Sequence, residues 1–93
     1  MREIVRLSRF KRDYKREKKG KHSKSLDSML RDAVNALVNN VALPEKLKDH
    51  KMSGEWEDHS DCHLKPDLVL IYRKPDKKIL QLVRLGSHSE LGI

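Results

Sequence analysis

The sequence predicts one α+β domain spanning residues 1–93, with two N-terminal helices packed on one face of a four-stranded, mostly antiparallel sheet (β-α-α-β-β-β). Three observations predict it. Apolar residues recur with a helical period over 26–41, three strand-like runs follow residue 54, and 93 residues leave room for one core.

At the start, Glu3-Ile4-Val5-Arg6-Leu7 reads as a short strand. Ser8 suits the N-cap of a helix beginning at Arg9, with Phe10 and Tyr14 four residues apart on its buried side. Lys18 and Lys19 put cations near that helix's end, and Gly20 stands where a left-handed cap would fall. The second helix carries the strongest pattern: Leu26, Met29, Leu30, Ala33, Val34, Leu37, Val38 and Val41 keep the i, i+3, i+4, i+7 spacing. Ser23 or Ser25 can cap it, and Asn39-Asn40 weakens its far end. Its apolar stripe must be buried, and the rest of the chain can offer only a sheet. Residues 44–53 read as a polar loop or irregular helix, punctuated by Ser53-Gly54. Strands are predicted at 55–64, 68–73 and 79–85, with a tight turn at Pro75-Asp76-Lys77, and 86–93 forms a tail. The first strand is expected to pair with the last part of the sheet, in either direction.

The chain carries 21 Lys+Arg against 14 Asp+Glu, a formal charge of +7. Such an excess on a small body points to a polyanion, nucleic acid before a membrane surface. No apolar run reaches the roughly 20 residues that span a bilayer. The basic segment before residue 24 lacks the apolar stretch of a signal peptide, and the single Cys62 suits a reducing compartment. A cytoplasmic location with no membrane partner is therefore expected. Charge assigns RNA contacts to Lys11, Lys15, Lys18 and Lys19 in the N-terminal segment, and to Lys48, Lys51, Lys65 and Arg73 beside the later strands. The N-terminal patch suits an acidic protein segment equally well.

Strand alternation over 55–64 puts Glu55, Glu57, His59, Asp61 and His63 on one face. Trp56 falls on the other, which predicts it in the core with Tyr72 beside it. His50 lies in the loop before, Asp67 just after, Arg84 near the end of the last strand and His88 in the tail, and hairpin pairing can bring them to one edge of the sheet. A lone histidine or acid at such positions is ordinarily a solvated or salt-bridged surface residue, and Asp61 and Arg84 could simply pair with each other. Metal binding is disfavoured, because His59, Asp61 and His63 would spread over about 13 Å of strand and Cys62 points the other way. Neither a metal nor a cofactor is predicted.

The run Asp49-His50, Gly54-Glu55-Trp56, Asp61-Cys62-His63, Lys65-Pro66-Asp67, Leu70-Ile71-Tyr72 and Leu85-Gly86-Ser87-His88-Ser89-Glu90-Leu91 resembles the YafQ branch of the RelE toxins. The resemblance covers nearly the whole chain, including the order of its elements. It implies a RelE-like fold and a bacterial type II toxin that enters the ribosomal A site and cuts messenger RNA. The 2′-hydroxyl would attack the adjacent phosphate, leaving a 2′,3′-cyclic phosphate and a 5′-hydroxyl. The resemblance also implies an inhibitory antitoxin partner, and it places His50, His63, Asp67 and His88 at active-site positions, Arg84 at a phosphate contact and Asp61 next to the site. The residue types suit that chemistry: His88 as general acid, His50 or His63 as general base assisted by Asp67, and Arg84 as the cation for the crowded phosphorus. One departure stands out. The family often has an aromatic residue four positions after the tail histidine, and here that position is Gly92. The rival expectation is a basic module that binds RNA or a protein partner and cuts nothing.

Overall fold

The computed structural model describes residues 1–93. Its order is β1 (Glu3–Arg6), α1 (Ser8–Lys18), α2 (Ser23–Val38), β2 (His50–Lys51), β3 (Ser60–Lys65), β4 (Leu68–Arg73), β5 (Ile79–Gly86) and α3 (His88–Leu91). The sheet has five strands rather than four, in the order β1-β5-β4-β3-β2. The extra strand, β2, lies inside the segment expected to be a loop. It is two residues long, so neither alternation nor an apolar run could mark it.

The predicted strand over 55–64 is shortened to its second half. Gly54 and Asp58 both adopt left-handed backbone (φ 66° and 70°), and residues 54–56 make a 3₁₀ turn, so the chain cannot run extended before Ser60. Helix boundaries shift slightly too. Ser8 is the first residue of α1 and not its cap, the serines at 23 and 25 cap nothing, and Gly20 does not take the left-handed conformation.

Helix α2 buries the expected stripe, Leu26, Leu30, Ala33, Val34, Leu37 and Val38, against the sheet. It stops before Val41, which is exposed. Asn40 is left-handed (φ 57°), and the Val41 N–H reaches back to the Ala36 carbonyl at 2.8 Å, the bonding of a Schellman stop. The core between helices and sheet joins this stripe to Phe10 of α1 and to Cys62, Leu68, Leu70, Tyr72, Leu80 and Leu85. Val69, Ile71, Val83 and Leu91 form a small cluster on the opposite, open face.

The β1–β5 edge is where the architecture is least ordinary. β1 pairs parallel with β5 and ends at Arg6, while β5 runs on to Gly86. Leu85 would therefore present an unpaired N–H and C=O beyond the end of β1. Helix α1 fills that place with side chains: the Asp13 carboxylate accepts from the Leu85 N–H at 3.0 Å, and Arg16 Nη2 donates to the Leu85 carbonyl at 2.8 Å. Asp13 also accepts from Arg84, Nε to Oδ2 at 2.7 Å and Nη2 to Oδ1 at 3.3 Å, and is 4% exposed. Burial alone would raise the Asp13 carboxyl, but these hydrogen bonds outweigh it and hold the group below its usual 3.8.

Two results should follow. Asp13→Ala strands a buried guanidinium and a buried N–H, so urea unfolding at pH 7 should show a loss of about 3 kcal/mol. Because the folded carboxyl titrates below the unfolded one, the stabilisation is present above pH 3.8 and vanishes as pH falls through the depressed folded value. The gap between wild type and Asp13→Asn should close in acid, and a gap that widens there would contradict the ion pair.

Candidate active site

The open face of the sheet gathers the chemistry. β2 pairs antiparallel with β3, so His50 stands directly opposite Asp61. Asp61 in turn faces Ile71 of β4, which faces Arg84 of β5. The next row of the same face runs His63, Val69, Gly86. Partners opposite one another project to the same side, so His50, Asp61, Ile71 and Arg84 cross the sheet as one row, with His63 beside it. Adjacent strands are about 4.8 Å apart, so Arg84 and Asp61 flank a floor about 10 Å wide made by Ile71 and Val69.

Arg84 joins that row because β5 is bulged. Ile71 faces Arg84 but Tyr72 faces Leu82, which leaves Val83 unpaired. Counting in twos from Leu82, which points to the helices, would bury Arg84 in the main core. The extra residue turns Arg84 to the open face and Leu85 back to the core, the re-aiming that bulges perform near sites.

Three histidine rings then meet edge to face. His50 and His63 have centroids 6.5 Å apart, and His63 and His88 5.1 Å apart. His88 arrives from α3, and Asp67 in the β3–β4 turn holds it twice: one oxygen lies 2.9 Å from the His88 backbone N and 2.6 Å from Nδ1. The backbone N–H of His88 is the largest cause of an Asp67 carboxyl held below its usual value. His50 Nδ1 lies 2.9 Å from the Lys48 carbonyl, an oxygen that can only accept, so Nδ1 carries the hydrogen and Nε2 is left with its lone pair. Asp61 Oδ1 is 3.1 Å from the same Nδ1 but is not aligned for a hydrogen bond, and it has no other partner. Burial raises the Asp61 carboxyl, against the pull of the surrounding histidines. Burial likewise pushes His63 below the usual imidazole value, with His88 and His50 adding to the effect and Asp61 opposing it.

The expected cluster His50, Asp61, His63, Asp67 and His88 is therefore assembled, with Arg84 across the floor. Arg84 is not the partner of Asp61: Ile71 separates them, and its carboxylate is Asp13. Trp56 was expected in the core opposite His63. It packs instead on the open-face cluster, its ring 5.3 Å from His59, while Tyr72 lies under the helices. The 3₁₀ turn at 54–56 breaks the alternation on which that expectation rested. His59 stays apart from the trio, its Nδ1 3.1 Å from the Glu57 carbonyl. Cys62 is buried with its thiol pushed up to about 12, which makes it inert.

The cations divide into two groups. Lys48 acts on His63, Lys65 ends β3, and Lys51 and Arg73 line a polar cleft beyond β2 together with Lys74. Lys11 and Lys15, by contrast, line a groove between α1, α2 and β1, away from the histidines. Lys18 is paired with Asp27 at 2.8 Å, and Lys19 caps α1. Sequence reasoning missed Asp13, Arg16 and Glu90, which anchor β5 and α3, and Asp49, which accepts the Tyr72 hydroxyl and so ties the His50 segment to the sheet. The available signals were Asp13, an acid inside a strongly basic helix, and the presence of Asp49 and Glu90 in the motifs that carry the family resemblance. No group of three or more His, Cys, Asp or Glu side chains is arranged to hold a metal ion.

Comparison with known proteins places the whole chain in a family. A family model described as the bacterial toxin of a type II toxin–antitoxin system, YafQ, matches residues 2–92. The mRNA interferase toxin YafQ of Escherichia coli (strain B / BL21-DE3) is 33% identical over 91 residues, covering 97% of this chain and 95% of that one. The putative toxin YafQ of Haemophilus influenzae is 39% identical over 64 residues, 66% of this chain and 63% of that protein. Among solved structures, a metal-bound toxin from Helicobacter pylori superposes with a TM-score of 0.82 at 38% identity, covering 98% of this chain and 99% of that one. YafQ in the E. coli DinJ–YafQ complex does so with a TM-score of 0.79 at 31% identity, covering 98% of each chain. With the family model spanning nearly the whole chain and the histidine site built on the matched fold, this protein belongs to the YafQ family of type II toxin–antitoxin toxins.

Proposed function

We propose that this YafQ-family toxin binds in the ribosomal A site and cuts messenger RNA there by acid–base chemistry carried on His50, His63 and His88. The observation that supports this most directly is the row of three rings, 6.5 and 5.1 Å apart, facing Arg84 across an apolar floor. The relatives in E. coli are named mRNA interferases, and the toxin is an endoribonuclease of that kind.

The chemistry divides between the two ends of the row. A neutral imidazole from the His50–His63 pair takes the proton of the 2′-hydroxyl as its oxygen bonds to phosphorus. His50 presents Nε2 because its Nδ1 donates to the Lys48 carbonyl, and burial favours the neutral ring of His63, so either can take the proton. His88 delivers a proton from Nε2 to the departing 5′-oxygen, with Asp67 accepting its Nδ1–H and fixing the ring. Arg84 faces the charge that builds on the non-bridging oxygens. The phosphorus–O5′ bond breaks, leaving a 2′,3′-cyclic phosphate and a 5′-hydroxyl. Lys48, Lys51, Lys65 and Arg73 supply charge for the neighbouring phosphates, whereas Asp61, expected from the sequence to contact RNA, is 4% exposed and too buried to reach a nucleotide.

The helix side of the molecule is assigned to the antitoxin. The groove between α1, α2 and β1 encloses about 590 Å³, with Phe10, Leu30, Val34 and Leu82 in its lining. Arg6, Lys11, Lys15 and Arg31 are its cations, and its one acid, Asp27, is already held by Lys18 and the Tyr14 hydroxyl. An apolar floor with a cationic rim fits an acidic amphipathic segment. One relative is solved in complex with its antitoxin DinJ, which makes such a segment the natural occupant.

Cleavage mapped on a defined messenger in a reconstituted bacterial translation reaction tests the activity. Cuts should require ribosomes, leave 5′-hydroxyl ends, and slow by about 10²–10⁴-fold in His88→Ala. Undiminished cutting by that variant would remove His88 as the general acid, and no cutting by the wild type would leave only a docking module. The pH–rate profile gives a second check. A base held below the usual 6.5 stays neutral into stronger acid, so the acid limb should fall below pH 6.5; a limb above that value would remove His63 from the base pair. For the groove, Arg31→Glu should weaken antitoxin binding at least tenfold, most strongly at low salt. Unchanged antitoxin affinity with weakened ribosome binding would assign the groove to ribosomal RNA instead.

A further inference from the structure

We propose that Asp13 and Arg16 of α1 are positioning residues for cleavage: together they clamp the end of β5 and the first turn of α3, and so set where Arg84 and His88 stand. The proposal rests on the assignment of Arg84 and His88 to the chemistry.

Two-point contact is what fixes Arg84. Asp13 engages Nε at 2.7 Å and Nη2 at 3.3 Å, which sets the plane of the guanidinium and leaves Nη1 for a phosphate oxygen. At 17% side-chain exposure, Arg84 would otherwise be free to rotate over the floor. The same carboxylate takes the Leu85 N–H, so side chain and backbone of adjacent residues are held by one group.

Arg16 extends the clamp to the tail. Its Nη1 lies 3.0 Å from Asp13, its Nη2 donates to the Leu85 carbonyl at 2.8 Å, and its Nε donates to Glu17 at 3.1 Å and forms an ion pair with Glu90 Oε2, also at 3.1 Å. Glu90 uses its other oxygen to accept the Ser87 N–H at 2.9 Å, while the Ser87 hydroxyl accepts the Glu90 N–H, a capping box that begins α3 at His88. A helix of four residues has little stability of its own, so its placement depends on these ties. Gly86 is part of the same device. A Cβ there would sit 2.7 Å from Arg16 Nη2 and 3.1 Å from Glu90 Oε1, so a side chain at 86 would push the guanidinium aside from the Leu85 carbonyl and Glu90.

The titration of Asp67 reports on the clamp, because the His88 backbone N–H is the main cause of its depression. Lys21 and the His88 ring are the other charges that face it. The test compares wild type, Arg16→Ala, Gly86→Ala and the double variant in single-turnover cleavage on programmed ribosomes, with Asp67 followed by carbon-13 NMR. Both single variants should cut about ten- to a hundredfold more slowly at saturation, the loss expected from misplacing a reacting group by about 1 Å. Half-saturation should change little, the double variant should be no slower than either single, and Asp67 should titrate nearer the usual carboxylate value. Gly86→Ala keeps every charged group, so it decides the matter if Arg16→Ala does not fold. Wild-type rates, or slower cutting with Asp67 titrating as in wild type, would overturn the clamp. If His88→Ala and Arg84→Lys also cut at the wild-type rate, the site assignment has failed and not the clamp alone.

Discussion

The buried carboxylate of Asp13 is the constraint around which this fold closes. A parallel edge strand four residues long cannot serve an eight-residue partner, and the uncovered end of β5 must find other hydrogen bonds. Asp13 supplies them from a helix, and that choice fixes several things at once. It seats α1 against the sheet edge, brings Arg16 within reach of the Leu85 carbonyl, and gives Arg84 a counter-ion that is not part of the histidine cluster. Desolvating a carboxylate and a guanidinium costs several kcal/mol, so such a pair is retained for what it positions as much as for what it stabilises.

The bulge at Val83 is the second half of the same solution. It lets β5 keep Leu80, Leu82 and Leu85 in the main core while Arg84 turns to the open face. An unbulged strand would satisfy either the core or the site. Helix α1 and the irregular strand are therefore one device: the helix covers the edge, and the bulge presents the cation that the helix then grips.

This explains what could and could not be read from the residues in order. The α2 stripe was legible because its period is local, and β4 was legible because Leu68 to Tyr72 is a continuous apolar run covered on both sides. The β4–β5 turn was legible from Asp76, whose carboxylate takes the Lys78 and Ile79 N–H groups, the expected use of an acid in a turn. By contrast β2 is two residues long and exists only because β3 pairs with it. The stretch from Gly54 to His59 alternates plausibly on paper, yet two left-handed residues fold it into a turn, and that carried Trp56 to the wrong face. The contact between Asp13 and Leu85 joins residues 72 apart, a distance over which no periodicity speaks. The candidate site residues were found through family motifs, and Asp49, Gly86 and Glu90 stood in the same motifs without a role, because a motif records which side chains recur and not what each one holds. Asp13 and Arg16 lay outside the motifs altogether.

The two faces of the molecule also constrain how an inhibitor must work. The groove that fits an acidic segment lies on the helix layer, and the three histidines lie across the sheet from it. A segment seated in the groove alone leaves the three rings uncovered, so charge neutralisation there weakens attraction to a polyanion without covering the histidines. To close the site itself, the inhibitor must continue around an edge of the sheet. The β1–β5 edge is occupied by α1, while β2 at the other edge is short and exposed, with His50 upon it. A chain that starts in the groove and reaches the histidines therefore has two routes: over α3 and Glu90, or around β2. The first passes the residues that hold His88 in place, and the second meets His50 directly. Either route meets an end of the histidine row first, His50 exposed at one end and His88 with 40% of its side chain exposed at the other, before it reaches the half-buried His63 between them.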